Sequence, residues 1–231
     1  MRNLAIILSR KNSKRLKKKN LLKIGNKSLI ENTIIASVKS NCFEKIIVSS
    51  DDLKIKSIVK KYSRKVDFHL RPSRLAKDNT KAIEVVIFLL KKFSNYDSVS
   101  LLLPTCPFRN EFDIRKSFKI FKKNFLNTIS VKEYDFPPEF GIKKKKIFFK
   151  PFLKNSPLLN GQTRSQDFKK CYHPNGGIYT GVTKNILKNK NFFSNKINIY
   201  KMSRIKSIDI DDIIDYELAK LIQKKFYEKL K

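Results

Sequence analysis

LAIILSRKNSKRLKKKNL, the stretch Leu4–Leu21, begins with an apolar run and ends in a run of cations. The run Leu4–Leu8 is short and aliphatic, which predicts a buried β-strand. The cations that follow are Arg10, Lys11, Lys14, Arg15, Lys17, Lys18 and Lys19, and the hydrogen-bonding residues between them are Asn12, Ser13 and Asn20. Such a loop after a buried strand can hold a polyphosphate, because cations neutralise its charge and hydrogen-bond donors contact its oxygens.

Two other interpretations of this loop stay open. A basic run in a basic chain is often only a solvated face, and it can also be a nuclear-localisation or nucleic-acid-binding arm. The glycine-rich phosphate patterns GxxxxGK[ST] and GxGxxG are both missing from the sequence.

The composition favours one α/β domain with an appendage. The chain has 231 residues, of which 41% are hydrophobic, and no run approaches the ~20 apolar residues of a membrane span. The net charge of +32 raises the question of a nucleic-acid partner, but the lysines are spread from end to end, so we do not expect one. No signal-peptide pattern is present, which predicts a cytoplasmic protein. Three scattered cysteines without a CxxC pair argue against a zinc site or disulfide framework.

Strands and helices alternate along the first half of the chain. Apolar runs at Lys45–Ser50, Val66–Leu70 and Ser98–Leu103 predict further strands, with amphipathic helices between them. This alternation is typical of a parallel sheet, whose ligands bind beyond the carboxyl ends of the strands. The Arg10 loop and the Asp51 turn should therefore lie on one edge of the sheet.

A pair of acids lies near the C-terminus, in Ser207-Ile208-Asp209-Ile210-Asp211-Asp212. Alternation in a strand would place Asp209 and Asp211 on one face. Two adjacent carboxylates need a neutralising charge, and Mg²⁺ with triphosphate oxygens would supply it. The alternative is a double helix cap. We expect Asp212 to cap a last helix from Ile213 to about Leu230, with Ile214, Leu218, Leu221 and Ile222 packed on the sheet.

Five motifs occur in the order of a known family. They are R-x-x-S-K-R-L-x-x-K-N at 10–20, R-P-x-x-L-A-x-D at 71–78, L-L-x-P-T-x-P-x-R at 101–109, Y-x-x-N-G-x-I-Y at 172–179 and I-D-I-D at 208–211. Together they resemble the acylneuraminate cytidylyltransferases, which activate 2-keto sugar acids of the sialic acid type with CTP. Where that family has two glycines, a proline, a glutamine and a serine, this chain has Lys11 and Asn12, Lys17, Leu103 and Cys106.

The resemblance implies a fold and a set of site residues. The fold is a three-layer, Rossmann-like nucleotidyltransferase α/β fold with a mostly parallel sheet, in one domain over 1–231. An inserted β arm at about 133–172 would form the dimer contact and lid. Nucleotide-binding residues would be Arg10, Ser13, Lys14, Lys19, Asn20, Arg71 and Thr80. Sugar-binding residues would be Leu103, Thr105, Arg164, Gln166 and Asn175. Arg10, Lys19, Asp209 and Asp211 would be catalytic, and the last two would bind Mg²⁺.

The expected activity is that of a CMP-sugar synthetase, which converts CTP and a 2-keto sugar acid to the CMP-sugar and pyrophosphate. The change at Leu103 keeps other acceptors open, namely legionaminate, pseudaminate and ketodeoxyoctonate. A non-enzymatic nucleic-acid binder would also explain the charge, but it gives no reason for the acid pair. The sequence does not identify the group that removes the sugar's proton.

Overall fold

The structure, a computed structural model, describes residues 1–62 and 64–227. Its strands are β1 (Asn3–Ser9), β2 (Lys23–Ile24), β3 (Lys27–Ser28), β4 (Lys45–Ser50), β5 (Val66–Leu70), β6 (Ser98–Leu102), β7 (Thr128–Glu133), β8 (Ile142–Lys145), β9 (Phe148–Pro151), β10 (Tyr172–Val182) and β11 (Asn198–Lys201). Its helices are α1 (Leu29–Ser40), α2 (Leu53–Val59), α3 (Ala82–Lys92), α4 (Glu111–Asn124), α5 (Thr183–Asn189) and α6 (Ile213–Ile222).

A seven-stranded sheet organises the chain, in the order β5-β4-β1-β6-β10-β7-β11. Strands β5, β4, β1 and β6 pair in parallel, whereas β10 pairs antiparallel to β6. The strand order reverses between β1 and β6, since the chain first adds β4 and β5 on one side of β1 and then adds β6 on the other. Such a switch point leaves a crevice at the carboxyl ends of the strands.

Helices cover both faces of this sheet, because side chains of the central strands alternate between two cores. Ala5 and Ile7 of β1 join the cluster that contains Ile30 of α1. Leu4 and Ile6 join the opposite cluster, which contains Val86 of α3. The predicted α/β fold with a mostly parallel sheet is therefore confirmed.

The chain divides into two compact units. The first comprises Met1–Val131 with Pro174–Lys231, and the second comprises Lys132–His173. The second unit contains the antiparallel hairpin β8–β9, whose residues are almost all exposed.

The packing predicted for the last helix is correct only for Ile222, which is partly buried against the core that contains Ile210. Ile214, Leu218 and Leu221 are 75%, 47% and 64% exposed, and the fully inward residue of α6 is Ala219. Helical periodicity identifies the residues that share a face, but it does not say which face meets the core. The α-helical part of the last helix ends at Ile222, and a π-helical turn follows over Gln223–Tyr227. The predicted end at Leu230 lies outside the described residues.

Candidate active site

A cavity of about 270 Å³ opens at the carboxyl ends of β1, β5 and β6. Its lining residues come from the loops after these three strands, from the end of β1 and from the start of α3: Leu8, Arg10, Lys19, Asn20, Arg71, Leu75, Lys77, Asp78, Thr80, Ala82, Val85, Leu103, Pro104 and Thr105. Of the predicted nucleotide-binding residues, Arg10, Lys19, Asn20, Arg71 and Thr80 line this cavity, and so do Leu103 and Thr105 of the predicted sugar-binding set. The carboxyl-end rule thus predicts which loops meet around this cavity.

The cationic loop after β1 is anchored at three points. Leu16 is buried in a small core with Ile210, the Lys11 amide donates to Asp51 Oδ1 at 2.8 Å, and a 3₁₀ turn begins at Lys19. Apolar and backbone contacts therefore help to fix the loop's path without the family's glycines and proline, and four of its cations pair with carboxylates around the site.

The acidic segment is extended, but it is not a strand as the sequence predicted. Its alternation holds nevertheless, because Ile210 is fully buried while Asp209 and Asp211 are both accessible. The Ile210 amide donates to the Thr105 carbonyl at 2.8 Å, which ties the segment to the loop after β6. Asp212 begins α6, where its side chain accepts from the Ile214 and Asp215 amides in a capping box.

The cations of the first loop and the acids near the C-terminus converge. Lys19 Nζ lies 3.0 Å from Asp211 Oδ1, and Arg15 Nη2 lies 2.8 Å from Asp211 Oδ2. The Lys19 side chain is only 13% exposed, so this pair is partly shielded from water. Sequence reasoning gave Arg15 no role, since nothing in a run of cations distinguishes the one that meets an acid.

The neighbouring carboxylate, Asp209, has a raised pKa. Although the residue keeps an exposed surface, the protein atoms packed around its carboxyl raise the pKa most, and the charges of Asp211 and Asp215 add to the rise. A hydrogen bond from the Thr105 side chain and the charge of Lys19 act in the opposite direction. Asp209 thus lies close to the carboxylates of Asp211 and Asp215, and this concentration of negative charge would favour a bound cation.

A second carboxylate binds the loop at the mouth of the cavity. Asp78 accepts from Arg10 Nη1 at 2.7 Å and lies 2.9 Å from Lys14 Nζ. The bond from Lys14, together with the charges of Lys14 and Arg10, holds the pKa of Asp78 below its usual range. Asp78 was visible only as the last letter of a motif, because its partners are some 65 residues away in sequence.

Arg71 contributes to the wall of the cavity from inside the protein. It is 7% exposed, and its Nη2 donates to the Ser49 carbonyl at 2.6 Å. Burial lowers the pKa of Arg71 to about 10, with Asp51 opposing the change and Arg10 adding to it. The guanidinium is thus held rigidly beside the cavity.

The remaining predicted residues lie elsewhere. Ser13 belongs to the loop but not to the described cavity wall. Arg164 and Gln166 belong to the second unit, where Gln166 lines a separate cavity of about 340 Å³. Asn175 is 3% exposed, and both polar atoms of its amide are bonded within the first unit. That arrangement favours a structural role for Asn175 over direct contact with a sugar.

Arg109 and His69 have structural contacts within the first unit. Arg109 is 2% exposed and donates to the Leu103 and Gly177 carbonyls and to Thr33 Oγ1. His69 packs against the rings of Phe88 and Phe93.

The donor set fits Mg²⁺ bound together with a nucleotide. Residues 1–62 and 64–227 contain no group of three or more His, Cys, Asp or Glu that could hold a metal alone. Asp209 and Asp211 offer two carboxylates in a crowded acidic place, and magnesium commonly takes one or two carboxylates with substrate phosphates.

A mostly parallel sheet with a cation-lined crevice at its switch point is suited to bind an anionic ligand such as a nucleotide. The chain belongs to the cytidylyltransferase family. Residues 4–231 match the model of that family, which is described as "Cytidylyltransferase". The predicted enzyme class is confirmed.

Several characterised proteins resemble the chain over most of its length. It is 35% identical over 235 residues to the CMP-N,N'-diacetyllegionaminic acid synthase of Legionella pneumophila, with 100% of both chains covered. It is 33% identical over 228 residues to the N-acylneuraminate cytidylyltransferase of Escherichia coli, covering 96% of this chain and 52% of the relative. It thus spans about half of that relative's length. Identity to a Campylobacter jejuni pseudaminic acid cytidylyltransferase is 31% over 235 residues, with 99% of each covered.

Solved structures share the fold. A CMP:2-keto-3-deoxy-manno-octonic acid synthetase complexed with CTP superposes with a TM-score of 0.69 at 13% identity, covering 97% of this chain and 99% of that one. A 4-diphosphocytidyl-2C-methyl-D-erythritol synthase from Anaerococcus prevotii gives a TM-score of 0.68 at 14% identity, with 97% and 96% covered. Within the part of the chain that the structure describes, no helix has the length and apolar character needed to cross a membrane.

Proposed function

We propose that this chain transfers a cytidylyl group from CTP to a 2-keto sugar acid of the sialic acid type and releases pyrophosphate. The observation that carries the proposal is the meeting of Lys19 and Arg15 with Asp211 beside the cavity at the carboxyl edge. The named activities of the full-length relatives, all CMP-sugar acid synthases or cytidylyltransferases, support the same reaction.

The residues of the site have separate roles in this reaction. Arg10, Lys14 and Lys19 neutralise the triphosphate, and Arg71 and Thr80 seat the nucleotide from the wall of the cavity. The sugar's anomeric oxygen forms a bond to the α-phosphorus as the bond from that phosphorus to the β-phosphate oxygen breaks. Arg10 and Lys19 then stabilise the negative charge that builds up on the departing pyrophosphate.

We further propose that Asp209 and Asp211 hold Mg²⁺ when CTP is bound. The ion would supply charge neutralisation to the phosphates. Before it binds, Arg15 and Lys19 neutralise Asp211. Movement of one or both of these cations onto the nucleotide would release the carboxylate for the metal, so binding of CTP and of the metal would be coupled.

Leu103 supports an acceptor other than sialic acid itself. It lines the cavity with an apolar side chain where the resembling family has a glutamine amide. A sugar acid that presents an apolar group to Leu103 would lose no hydrogen bond there, whereas one that presents a hydroxyl would. Legionaminate, pseudaminate and ketodeoxyoctonate are the acceptors to compare with sialic acid.

We also propose that the enzyme is a homodimer that works in the cytoplasm, where CTP is made. The second unit supports the dimer, because its β8–β9 hairpin exposes Phe148, Phe149 and, at 95%, Ile147. A two-stranded hairpin is marginal by itself, so a covering surface is expected. Light scattering should give twice the chain mass for the wild type and the mass of one chain for Phe149→Asp.

Pyrophosphate release tests the activity. The protein is incubated with each of the four nucleoside triphosphates, Mg²⁺ and a panel of 2-keto sugar acids. We expect release with CTP and one preferred acid, and none from Asp211→Asn. Release without any sugar acid, or with every nucleotide equally, would contradict the proposal. A tight, salt-sensitive complex with random DNA and no pyrophosphate would instead support a nucleic-acid binder.

A further inference from the structure

The segment Asn175-Gly176-Gly177 of strand β10 lies next to Asp209. Asn175 Nδ2 donates to Ser207 Oγ at 2.9 Å and lies 3.3 Å from Met202 Sδ. Its Oδ1 accepts from Ser130 Oγ at 2.6 Å and from the Gly177 amide at 3.1 Å. The amide is thereby fixed in rotation, since exchanging its nitrogen and oxygen would break these bonds.

Ser207 is the point at which this network reaches the catalytic segment. It ends the 3₁₀ turn Ile205–Ser207, it is 1% exposed, and the extended residues that carry Asp209 and Asp211 begin immediately after it. A change in the position of Ser207 would therefore move both carboxylates.

The next residue of this segment approaches Asp209 directly. Gly176 has φ +73°, and a Cβ built on it would lie 3.4 Å from Asp209 Oδ2, which is van der Waals contact. A side chain at this position would be strained by its backbone. The glycine therefore gives the strand a left-handed residue beside the acid, while Asn175 holds the acidic segment in place.

We propose that Asn175 is a positioning residue for Asp209 and Asp211, acting through Ser207, and is not a sugar ligand. The inference rests on the proposed function, since the two acids are assigned to the nucleotide and its metal there. Residues that do not touch the metal but hold its carboxylate ligands in position commonly contribute about 10–100-fold to metal affinity.

Calorimetric titration with CTP, with and without Mg²⁺, tests the proposal on Asn175→Ala, Ser207→Ala and the double variant. Each single variant should weaken Mg²⁺-dependent CTP binding roughly 10-fold. The double variant should be little worse than either single one, because both remove the same link. The KM for the sugar acid should stay within about twofold of the wild-type value, because these variants remove no contact with the sugar. Loss of a direct sugar contact would instead raise that KM.

Asn127→Ala provides the matched control. Asn127 is also a buried asparagine, but its Nδ2 donates to the Phe192 carbonyl, away from the acids. The control should lose thermal stability while keeping Mg²⁺-dependent CTP binding. Ser207→Ala removes only one hydroxyl, so it tests the link even if Asn175→Ala fails to fold.

Three results would overturn the inference. A raised KM for the sugar acid with unchanged CTP binding would make Asn175 a sugar ligand. Equal weakening in Asn127→Ala would show a general loss of stability. If the Asn175 and Ser207 variants bind CTP and Mg²⁺ as tightly as the wild type, the positioning role alone is refuted. If the wild type does not bind CTP with Mg²⁺, the proposed function and this role are refuted together.

Discussion

Asp211 and Asp78 each bind two cations of the same loop, but in different surroundings. The more shielded partner of Asp211 is Lys19, at 13% exposed, and the more shielded partner of Asp78 is Arg10, at 35%. The second partners, Arg15 and Lys14, are 66% and 76% exposed. Exposed ion pairs contribute little, while a shielded pair costs more to separate. The comparison teaches that one sequence motif can carry two kinds of ion pair, one built into the site and one easily exchanged for a ligand.

Asp211→Asn should give the largest effect, because it removes a metal-binding charge and leaves Lys19 and Arg15 without their partner. We expect kcat to fall by roughly 1000-fold or more, with an unchanged circular dichroism spectrum. Asp67→Asn is the control, since Asp67 pairs with Lys45 on other strands. Activity near the wild-type value in Asp211→Asn would remove the basis of the comparison.

Two lysine variants sharpen the contrast. Lys19→Ala should lower kcat/KM by about 100-fold, because a shielded cation near the phosphates cannot be replaced by water. Lys14→Ala should lower it by less than about fivefold, because that side chain is already solvated. Steady-state kinetics at fixed ionic strength measures both. Equal losses would mean that exposure does not distinguish the two ion pairs.

Asp78→Asn should act in the opposite direction. Removing the carboxylate frees Arg10 and Lys14 for the triphosphate, so CTP should bind about two- to fivefold more tightly. Calorimetry at low and high salt should show the gain mainly at low salt, where exposed charges are least screened. Weaker binding would mean that Asp78 orders the loop for CTP.

The smallest expected change is the shift in thermal stability caused by Asp209→Asn. The pKa of Asp209 is raised in the folded protein, so the unfolded chain loses this proton at lower pH than the folded one. Its contribution therefore favours folding below the usual carboxyl pKa and is lost as pH rises toward the folded value. At neutral pH, Asp209→Asn should raise the Tm while abolishing turnover, and the gain should vanish in acid. A lower Tm at neutral pH would contradict the raised pKa.

Local patterns predicted most of the fold. Aliphatic runs such as Ile46–Val48 identified buried strands, and the carboxyl-end rule placed Arg10, Arg71 and Thr105 around one cavity. What failed depended on distant partners. Arg15 and Asp78 gained their roles from residues far away in sequence, and a helix period could not choose the inward face of α6. Asn175 resembled an exposed turn residue because no local signal marks a buried amide.

Strands β7 and β10 are neighbours in the sheet, although most of the second unit, residues 134–171, separates them along the chain. A segment inserted between two adjacent strands can be lengthened, replaced or recombined without changing the order of the other strands. The fold therefore permits this one segment to diversify while the sheet that carries the loops of the cavity is kept. Chimaeras joined within β7 and β10 would be the natural way to exploit this.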